Sequence, residues 1–321
     1  MSRRALTLLV TALGVLLLAW QIEKIGLAAI ADGVRRMGIT GLALILAVSL
    51  LRQLLRSAAW VILMRDDARV PISRALAATI AGDAVGNLTP LSLVVSEPAK
   101  AMLVRAHMPP QRALAALAAE NFFYSLSVAI TVLAGVVVLF VAFPVPEALR
   151  TASLVLVGLM AAVLVGALWL IWKEPALVSS TLSRFTGFAG AKAPAYEKFV
   201  DKIRELETSS YAFVRSKPGR LAGVVLCEAA FHVLSVAETW ITLYFLGITS
   251  LALAFVLDTV QRVINVVFRV VPLKIGVDEV GSGLTSAALG YGSALGVTMG
   301  VIRKIRVLFW ALVGLLLVGR R

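Results

Sequence analysis

Long apolar runs alternate with short polar connections along this chain. Several exceed the roughly 18 consecutive apolar residues that indicate a transmembrane helix, and none shows the alternation of an outer-membrane β-strand. The pattern therefore predicts an all-α polytopic membrane protein with about six full spans. The predicted spans cover approximately residues 5–22, 38–64, 113–143, 152–172, 221–246 and 293–318.

Two further apolar stretches, residues 71–110 and 249–292, are interrupted by prolines and glycines. The first contains Pro90-Leu-Ser-Leu-Val-Val-Ser-Glu97 and the second contains Pro272-Leu-Lys-Ile-Gly-Val-Asp-Glu279. Helix-breaking residues at matching places in two halves point to a transporter-type site. Non-helical backbone within a membrane must be buried in protein or line a wet cavity. We therefore predict two re-entrant hairpins related as an inverted repeat; the alternative is a chance match between two proline-kinked helices.

The whole chain, residues 1–321, is predicted to form a single integral membrane domain. Its parts are a first span with an outer loop (1–37), a first half (38–172) with re-entrant segment 71–110, a linker (173–218), and a second half (219–321) with re-entrant segment 249–292. The linker is the only long polar segment, and its helical periodicity predicts an amphipathic helix on the cytoplasmic membrane surface. For the first run the alternative is a signal peptide; a retained span is favoured because the later spans need an anchored start.

Composition supports the membrane assignment and limits the function. The chain is 60% hydrophobic and 15% charged, against about 45–50% and about 25% in soluble proteins, which excludes a water-soluble enzyme. Its net charge of +13 is typical of basic cytoplasmic loops, so no nucleic-acid partner is expected and anionic lipid headgroups are the next candidate. The distribution of Lys and Arg predicts a bacterial-type inner membrane protein with both termini in the cytoplasm.

The sequence carries no pattern for catalysis, a metal or a cofactor. The one cysteine, Cys227, and the two histidines, His107 and His232, are too few for a disulfide framework or a His- or Cys-based metal centre. A Walker motif is absent, and no Ser-His-Asp or Cys-His arrangement is defensible. We therefore expect a protein that is not an enzyme and that binds no metal and no cofactor.

Ionisable residues inside the predicted spans are costly and by default mark function. Guanidinium groups stay charged when buried and bind phosphate bidentately, whereas the structural alternatives are internal ion pairs and snorkelling end residues. The predicted headgroup-binding residues are Arg52, Arg56, Lys100, Arg269, Lys274, Arg303 and Arg306. The predicted acidic gating or coupling residues are Glu97, Glu120, Asp278 and Glu279, and the predicted helix breaks are Asn87, Pro90, Pro272 and Gly276. Glu97 and Glu279 are expected where a new helix starts, a position that favours a carboxylate.

The chain resembles the flippase-like membrane domain of the lysylphosphatidylglycerol synthase/flippase family. Members typically show an Arg and then a Trp near the end of an early helix, as in Arg56 and Trp60 here. An asparagine-to-proline stretch and a Gly-Glu-x-x-Arg motif follow, matched by Asn87-Leu-Thr-Pro90 and, with two departures, by Ser96-Glu97-Pro-Ala-Lys100. The departures are a serine for the glycine and a lysine for the arginine, and they leave the substrate open.

The second half carries the more specific part of the resemblance. The family motif Pro-x-x-x-Gly-Val-x-Glu is matched by Pro272-Leu-Lys-Ile-Gly276-Val277-Asp-Glu279, and a late arginine by Arg303 or Arg306. Asn121 stands where an arginine often follows the glutamate matching Glu120. The sequence contains no counterpart of the soluble aminoacyl-transfer domain, so no synthase activity is expected. Similar stand-alone proteins are associated with lipid or hopanoid pathways.

Together these features favour a lipid flippase that moves an anionic, phosphate-bearing or related lipid between leaflets. The expected partners are membrane lipids, either anionic phospholipids or isoprenoid- or hopanoid-type lipids, and a homo-oligomer remains open. One alternative is a non-transporting, lipid-binding partner of a biosynthetic enzyme. Another is a proton-coupled carrier of a small soluble anion.

Overall fold

The computed structural model describes residues 27–64, 69–88, 92–173, 218–268 and 276–319, with Lys274 and scattered positions between 179 and 211. In these residues the regular structure is helical and no strand occurs. The helices are α1 (Leu27–Met64), α2 (Ile72–Leu88), α3 (Ser92–Leu103), α4 (Pro110–Ala142), α5 (Glu147–Lys173), α6 (Pro218–Phe245), α7 (Leu251–Val267), α8 (Val277–Ala288) and α9 (Ser293–Gly319). The predicted span 5–22, most of the linker 173–218, and Pro90, Arg269 and Pro272 lie outside the described residues.

Four of these helices are long and apolar enough to cross a membrane. The spanning segments are Ala31–Met64, Pro110–Ala142, Leu149–Ala167 and Gly219–Phe245. Their surfaces carry large apolar side chains that water would not favour, such as Val155 on α5, which is 69% exposed. The chain is therefore a multi-pass, all-α membrane protein, as the apolar runs predict.

Helix α9 differs from the four because charges interrupt it. It covers the predicted span 293–318 and is 27 residues long, but Arg303, Lys304 and Arg306 lie within it. Lys304 and Arg306 meet carboxylates of other helices, while apolar side chains such as Leu312 and Leu316 are exposed on its surface. Among the described residues four helices therefore qualify as spans, and of the six predicted spans the first, 5–22, lies outside those residues.

Local signals in the sequence explain several helix starts. Helix α4 begins at Pro110, a residue type suited to the first helical position because its missing N–H would have no partner there. At the start of α7 the Ser250 hydroxyl accepts a hydrogen bond from the Leu253 N–H at 3.1 Å, a normal N-cap. Gly38 interrupts α1 with φ 58°, a backbone conformation that glycine tolerates. This kink coincides with the predicted start of the second span.

The two predicted broken stretches each form a pair of packed helices. Helices α2 and α3 contact each other, and so do α7 and α8. The first pair has 17 and 12 residues, and the second pair has the same two lengths. Helix α9 packs on α2 and helix α4 packs on α7, while α1 lies along α6. These contacts bring α1, α2, α6 and α9 together around one polar cavity.

Candidate functional site

A polar cavity of about 180 Å³ lies between α1, α2, α6 and α9. Three arginines line it, Arg52 and Arg56 from α1 and Arg306 from α9. We call it the arginine cavity. Its full lining is Ser49, Arg52, Gln53, Arg56, Thr79, Ile80, Asp83, Ala84, Asn87, Phe231, Arg306, Val307, Trp310 and Ala311.

Arg56 is held between a carboxylate and an aromatic ring. Its Nε and one terminal nitrogen donate to the two oxygens of Glu120, each at 2.8 Å, which is the bidentate geometry that a guanidinium favours. The same terminal nitrogen donates to the Asn121 side-chain oxygen at 3.2 Å. The guanidinium carbon lies 4.2 Å from the centre of the Tyr124 ring, within cation–π range. Arg56 is therefore fixed in orientation by α4.

Arg52 and Arg306 share one carboxylate, that of Glu238 on α6. Arg52 donates to one oxygen of Glu238 at 2.7 Å, and Arg306 donates to the other oxygen. Arg52 also lies 4.5 Å from the centre of the Phe231 ring. One negative charge thus bridges two positive charges from two different helices.

Lys100 lies outside the lining of the arginine cavity, although the sequence predicts it as a headgroup residue. It is buried and forms ion pairs with Asp83 at 2.8 Å and Glu97 at 3.0 Å. Asp83 also accepts a hydrogen bond from the Ser96 hydroxyl at 3.2 Å. These contacts join α2 to α3 and hold the first hairpin closed beside the cavity.

The expected position of Glu97 at a helix start is wrong. Helix α3 begins at Ser92 and has no acidic residue in its first turn, so Glu97 lies in the second turn. Its carboxylate forms an ion pair with Lys100, one turn further along the helix, and not with a helix N-terminus. The expectation is right for Glu279, which lies in the first turn of α8 and accepts a hydrogen bond from the Gly276 N–H at 2.9 Å.

The remaining predicted residues of the second half form a separate polar cluster. Arg303 points away from the arginine cavity and donates to Gln261 at 2.7 Å and to Ser282 at 3.0 Å. Lys304 lies 3.4 Å from Asp278 and 3.6 Å from Glu279. The predicted Arg303 and Arg306 group is therefore divided between two places.

The predicted helix breaks also have different positions. Asn87 lines the arginine cavity near the end of α2. Gly276 precedes α8 with φ 82°, which explains why a glycine is required there. Lys274 has φ 49° and is absent from the cavity lining.

Glu238 is a residue of this site that was not among the predicted site residues. Glu238 is an acidic residue inside a predicted span, but several other acidic residues share that feature, so it does not single out Glu238. Thr79, Gln53 and Trp310 were missed as well, because uncharged polar residues give no such signal. The Trp310 indole N–H donates to the Ser49 hydroxyl at 2.6 Å, a contact that only the packing of α9 on α1 creates.

The ion-paired basic and acidic groups in and beside the arginine cavity are equal in number among the described residues. The three arginines and Lys100 face four carboxylates, those of Glu120, Glu238, Asp83 and Glu97. Ion pairs of this kind offset part of the large cost of placing charge at membrane depth. An anion entering the cavity must therefore take over arginine partners from a carboxylate or bring its own positive charge.

The fold and this cavity define a class: a multi-pass helical membrane protein with paired arginines at the depth of its spans. The comparison with protein families agrees, because the family model described as "Lysylphosphatidylglycerol synthase TM region" matches residues 5–314. The chain belongs to this family, as the motifs indicate, and its function relates to membrane lipids. No curated protein and no solved structure matches the chain significantly.

Proposed function

We propose that this protein is a lipid translocase of a bacterial-type inner membrane, with cytoplasmic termini and no enzymatic activity of its own. The lipid would carry a phosphate group. The observation that supports this most is the arginine cavity, where Arg52, Arg56 and Arg306 converge between helices at the level of the spans. Ionisable residues within a bilayer are rare and usually functional, so three arginines in this position indicate a functional site.

The size of the cavity suits a headgroup rather than a whole lipid. Its volume of about 180 Å³ corresponds to roughly six waters at about 30 Å³ each. Pockets that bind drug-sized ligands have volumes of about 300–1,000 Å³. A phosphate group with a few further atoms fits, and the acyl chains stay in the bilayer.

Glu238 is the carboxylate that an incoming phosphate would replace. It bridges Arg52 and Arg306 with one oxygen each, as two oxygens of a phosphate would. Glu120, by contrast, holds Arg56 bidentately together with the Tyr124 ring. In this mechanism Arg56 is a fixed anchor, and the Arg52–Glu238–Arg306 bridge opens and closes with substrate.

The paired helices support alternating access by two inverted halves. The α2–α3 and α7–α8 pairs have equal lengths, and each packs on a long helix of the other half, α9 and α4 respectively. Arg56 and Glu238 are separated by the same 182 positions as Pro90 and Pro272. In this proposal Arg56 and Glu238 occupy corresponding places in the two halves and carry opposite charges. We propose that the two hairpins open the arginine cavity to one leaflet at a time.

The test is lipid movement in liposomes that contain only the purified protein. Fluorescent anionic and zwitterionic phospholipids would be followed with and without a pH gradient. Replacement of Arg52 and Arg56 together by Gln should slow movement about tenfold or more, because each charge-assisted hydrogen bond contributes about 1.5–3 kcal/mol. Arg105→Gln, on an exposed loop, is the matched control and should leave the rate unchanged.

Other outcomes would favour the other functions. Normal movement in the double Arg52→Gln, Arg56→Gln protein would contradict the headgroup role of the arginines. No movement of any lipid, with one lipid species copurifying, would favour a lipid-presenting partner of a biosynthetic enzyme. Inhibition by soluble phosphate without lipid movement would favour a soluble-anion carrier.

A further inference from the structure

A second and larger cavity lies between α4, α6 and α7. It has a volume of about 870 Å³, which is within the range of small-molecule pockets. Its walls are almost wholly apolar, with side chains such as Phe123, Leu126, Val236 and Phe255. We call it the lateral cavity. It shares no lining residue with the arginine cavity.

The mouth of the lateral cavity faces the bilayer. Ile130 and Val233, which line it, are 55% and 68% exposed and lie near the middle of α4 and α6. Both helices are membrane spans, so at that depth the surroundings are acyl chains. An occupant therefore enters from the bilayer, which identifies it as a lipid.

Two buried polar groups on α6 reach this apolar cavity without complete hydrogen bonding. Glu228 is 2% exposed, and neither of its oxygens has a hydrogen-bond partner among the described residues. His232, one turn further on, is 6% exposed, and its Nδ1 likewise has no partner there. Unsatisfied buried polar atoms are rare and costly in native proteins. Their position on one face of α6 indicates a ligand that satisfies both.

The neighbouring contacts leave these two groups free for a ligand. The Ser127 hydroxyl donates to the Tyr124 carbonyl at 2.8 Å and lies 2.8 Å from His232 Nε2, so only Nδ1 remains open. The carboxyl groups of Glu228 and Glu120 lie close enough to interact, but both oxygens of Glu120 already accept hydrogen bonds from Arg56. The open positions therefore are the Glu228 carboxyl group and His232 Nδ1, one helical turn apart.

We propose that the lateral cavity binds an uncharged lipid alcohol, with its apolar body against α4 and α7 and its hydroxyl group between Glu228 and His232. A hydroxyl both donates and accepts a hydrogen bond, so it can accept one from the protonated Glu228 carboxyl group while it donates one to His232 Nδ1. A phosphate is disfavoured because it would meet a carboxyl group, and the arginines nearby are already paired with Glu120 and Asp258. This site is distinct from the arginine cavity and goes beyond translocation of a phosphate-bearing lipid.

The experiment is photolabelling of the full-length protein in phosphatidylcholine vesicles. The probe is a diacylglycerol with a diazirine in one acyl chain, and the labelled residues are located by mass spectrometry. Label is expected on α4, α6 and α7 around the lateral cavity. Unlabelled diacylglycerol should compete about fivefold better than its O-methyl ether, which corresponds to one hydrogen bond of about 1 kcal/mol.

Variants separate this site from general contact with lipid. Ala134→Trp fills the cavity from an exposed alanine on its wall and should reduce labelling about tenfold. Val137→Trp, on the same helix but outside the cavity, is the matched control and should label normally. Glu228→Leu should remove the preference for the alcohol over the ether. Because Glu228 forms no ion pair among the described residues and lies against an apolar cavity, this variant is expected to fold.

Several results would overturn the proposal. They are equal loss of label in Ala134→Trp and Val137→Trp, equal competition by alcohol and ether in the unmodified protein, and competition by added phosphatidylcholine as strong as that by the alcohol. The Arg52→Gln, Arg56→Gln protein should still be labelled. Failure of phospholipid movement and failure of alcohol binding are thus measured separately.

Discussion

At the scale of single residues, two carboxylates hold the three guanidinium groups of the arginine cavity in place. Arg56 donates two hydrogen bonds to Glu120 and lies over the Tyr124 ring, and it shares Glu120 with neither of the other two arginines. Arg52 and Arg306 depend on the single side chain of Glu238. Removing one partner of a buried ion pair is more costly than never having the pair, because it leaves a charge unpaired. Glu238 consequently holds both arginines in place, and in the proposed mechanism it is also the group that substrate replaces.

We predict that Glu238→Gln lowers the thermal unfolding temperature in detergent micelles by several degrees. The cost should exceed about 1 kcal/mol but stay below the roughly 3–5 kcal/mol of a fully buried pair, since Arg52 and Arg306 are 16% and 19% exposed. Asp32→Asn removes the exposed Arg36 pair and should change stability by less than about 1 kcal/mol. Equal changes in unfolding temperature for the two variants would show that the shared carboxylate contributes no more to stability than an exposed ion pair does.

The same substitution gives a functional prediction that separates structure from exchange. If phosphate replaces Glu238 between Arg52 and Arg306, anionic lipid should raise the unfolding temperature of Glu238→Gln more than that of the unmodified protein. Binding to the folded state stabilises it by RT ln(1 + L/Kd), where L is the lipid concentration, so a tighter complex gives a larger shift at the same lipid concentration. Thermal unfolding with increasing phosphatidylglycerol, beside uncharged detergent alone, measures this. An equal shift in both proteins would contradict the exchange.

At the scale of elements, small residues set how closely the second hairpin meets α9. A Cβ on Gly296 would overlap the backbone carbonyl of Ser282, and one on Gly300 would lie 2.9 Å from the Glu279 Cα. Close backbone approach through small residues is the usual way in which membrane helices pack. The contact places Lys304 beside Asp278 and Glu279, so the glycines also determine the second polar cluster.

We expect Gly296→Ala to lower the unfolding temperature, because the neighbouring atoms are backbone and cannot rotate away. Overpacking of this kind costs about 1–3 kcal/mol. Gly158→Ala is the matched change on α5, where an added Cβ meets nothing within 4 Å. It should be neutral or stabilising by up to about 1 kcal/mol. The unfolding temperatures of both variants are measured in micelles. Gly296→Ala is expected to lower the temperature and Gly158→Ala to leave it unchanged or raise it. A higher unfolding temperature for Gly296→Ala would refute the close contact.

At the scale of the whole molecule, the proposed inverted repeat fixes which loops share a side of the membrane. In that topology the loops 143–146, 246–250 and 289–292 lie outside, because the α7–α8 hairpin enters and returns on the same side. The loop 104–109 lies in the cytoplasm with the other basic segments. The arginine cavity then lies where the two halves meet.

Cysteine labelling tests this arrangement directly, since Cys227 is the single native cysteine. In a Cys227→Ala background, Pro146→Cys, Ile248→Cys and Tyr291→Cys should react with an impermeant maleimide on intact cells. His107→Cys should react only after lysis. Reaction of Ile248→Cys but not Tyr291→Cys would mean that α7 and α8 cross the membrane completely, which is incompatible with a re-entrant hairpin.

The sequence by itself determined the all-α membrane class, the family, the two broken stretches and the presence of Arg52 and Arg56 within a span. These follow from composition, from run length and from the cost of charge in lipid, all of which are local properties. Tertiary structure decided which charges meet. Arg303 and Arg306 are three residues apart, yet they face different clusters, and Glu238 pairs with Arg52 across 186 positions. Such pairings depend on the rotation of each helix about its axis, which packing against several neighbours sets together. The same holds for the lateral cavity, because an apolar hollow between three helices leaves no mark in the order of residues.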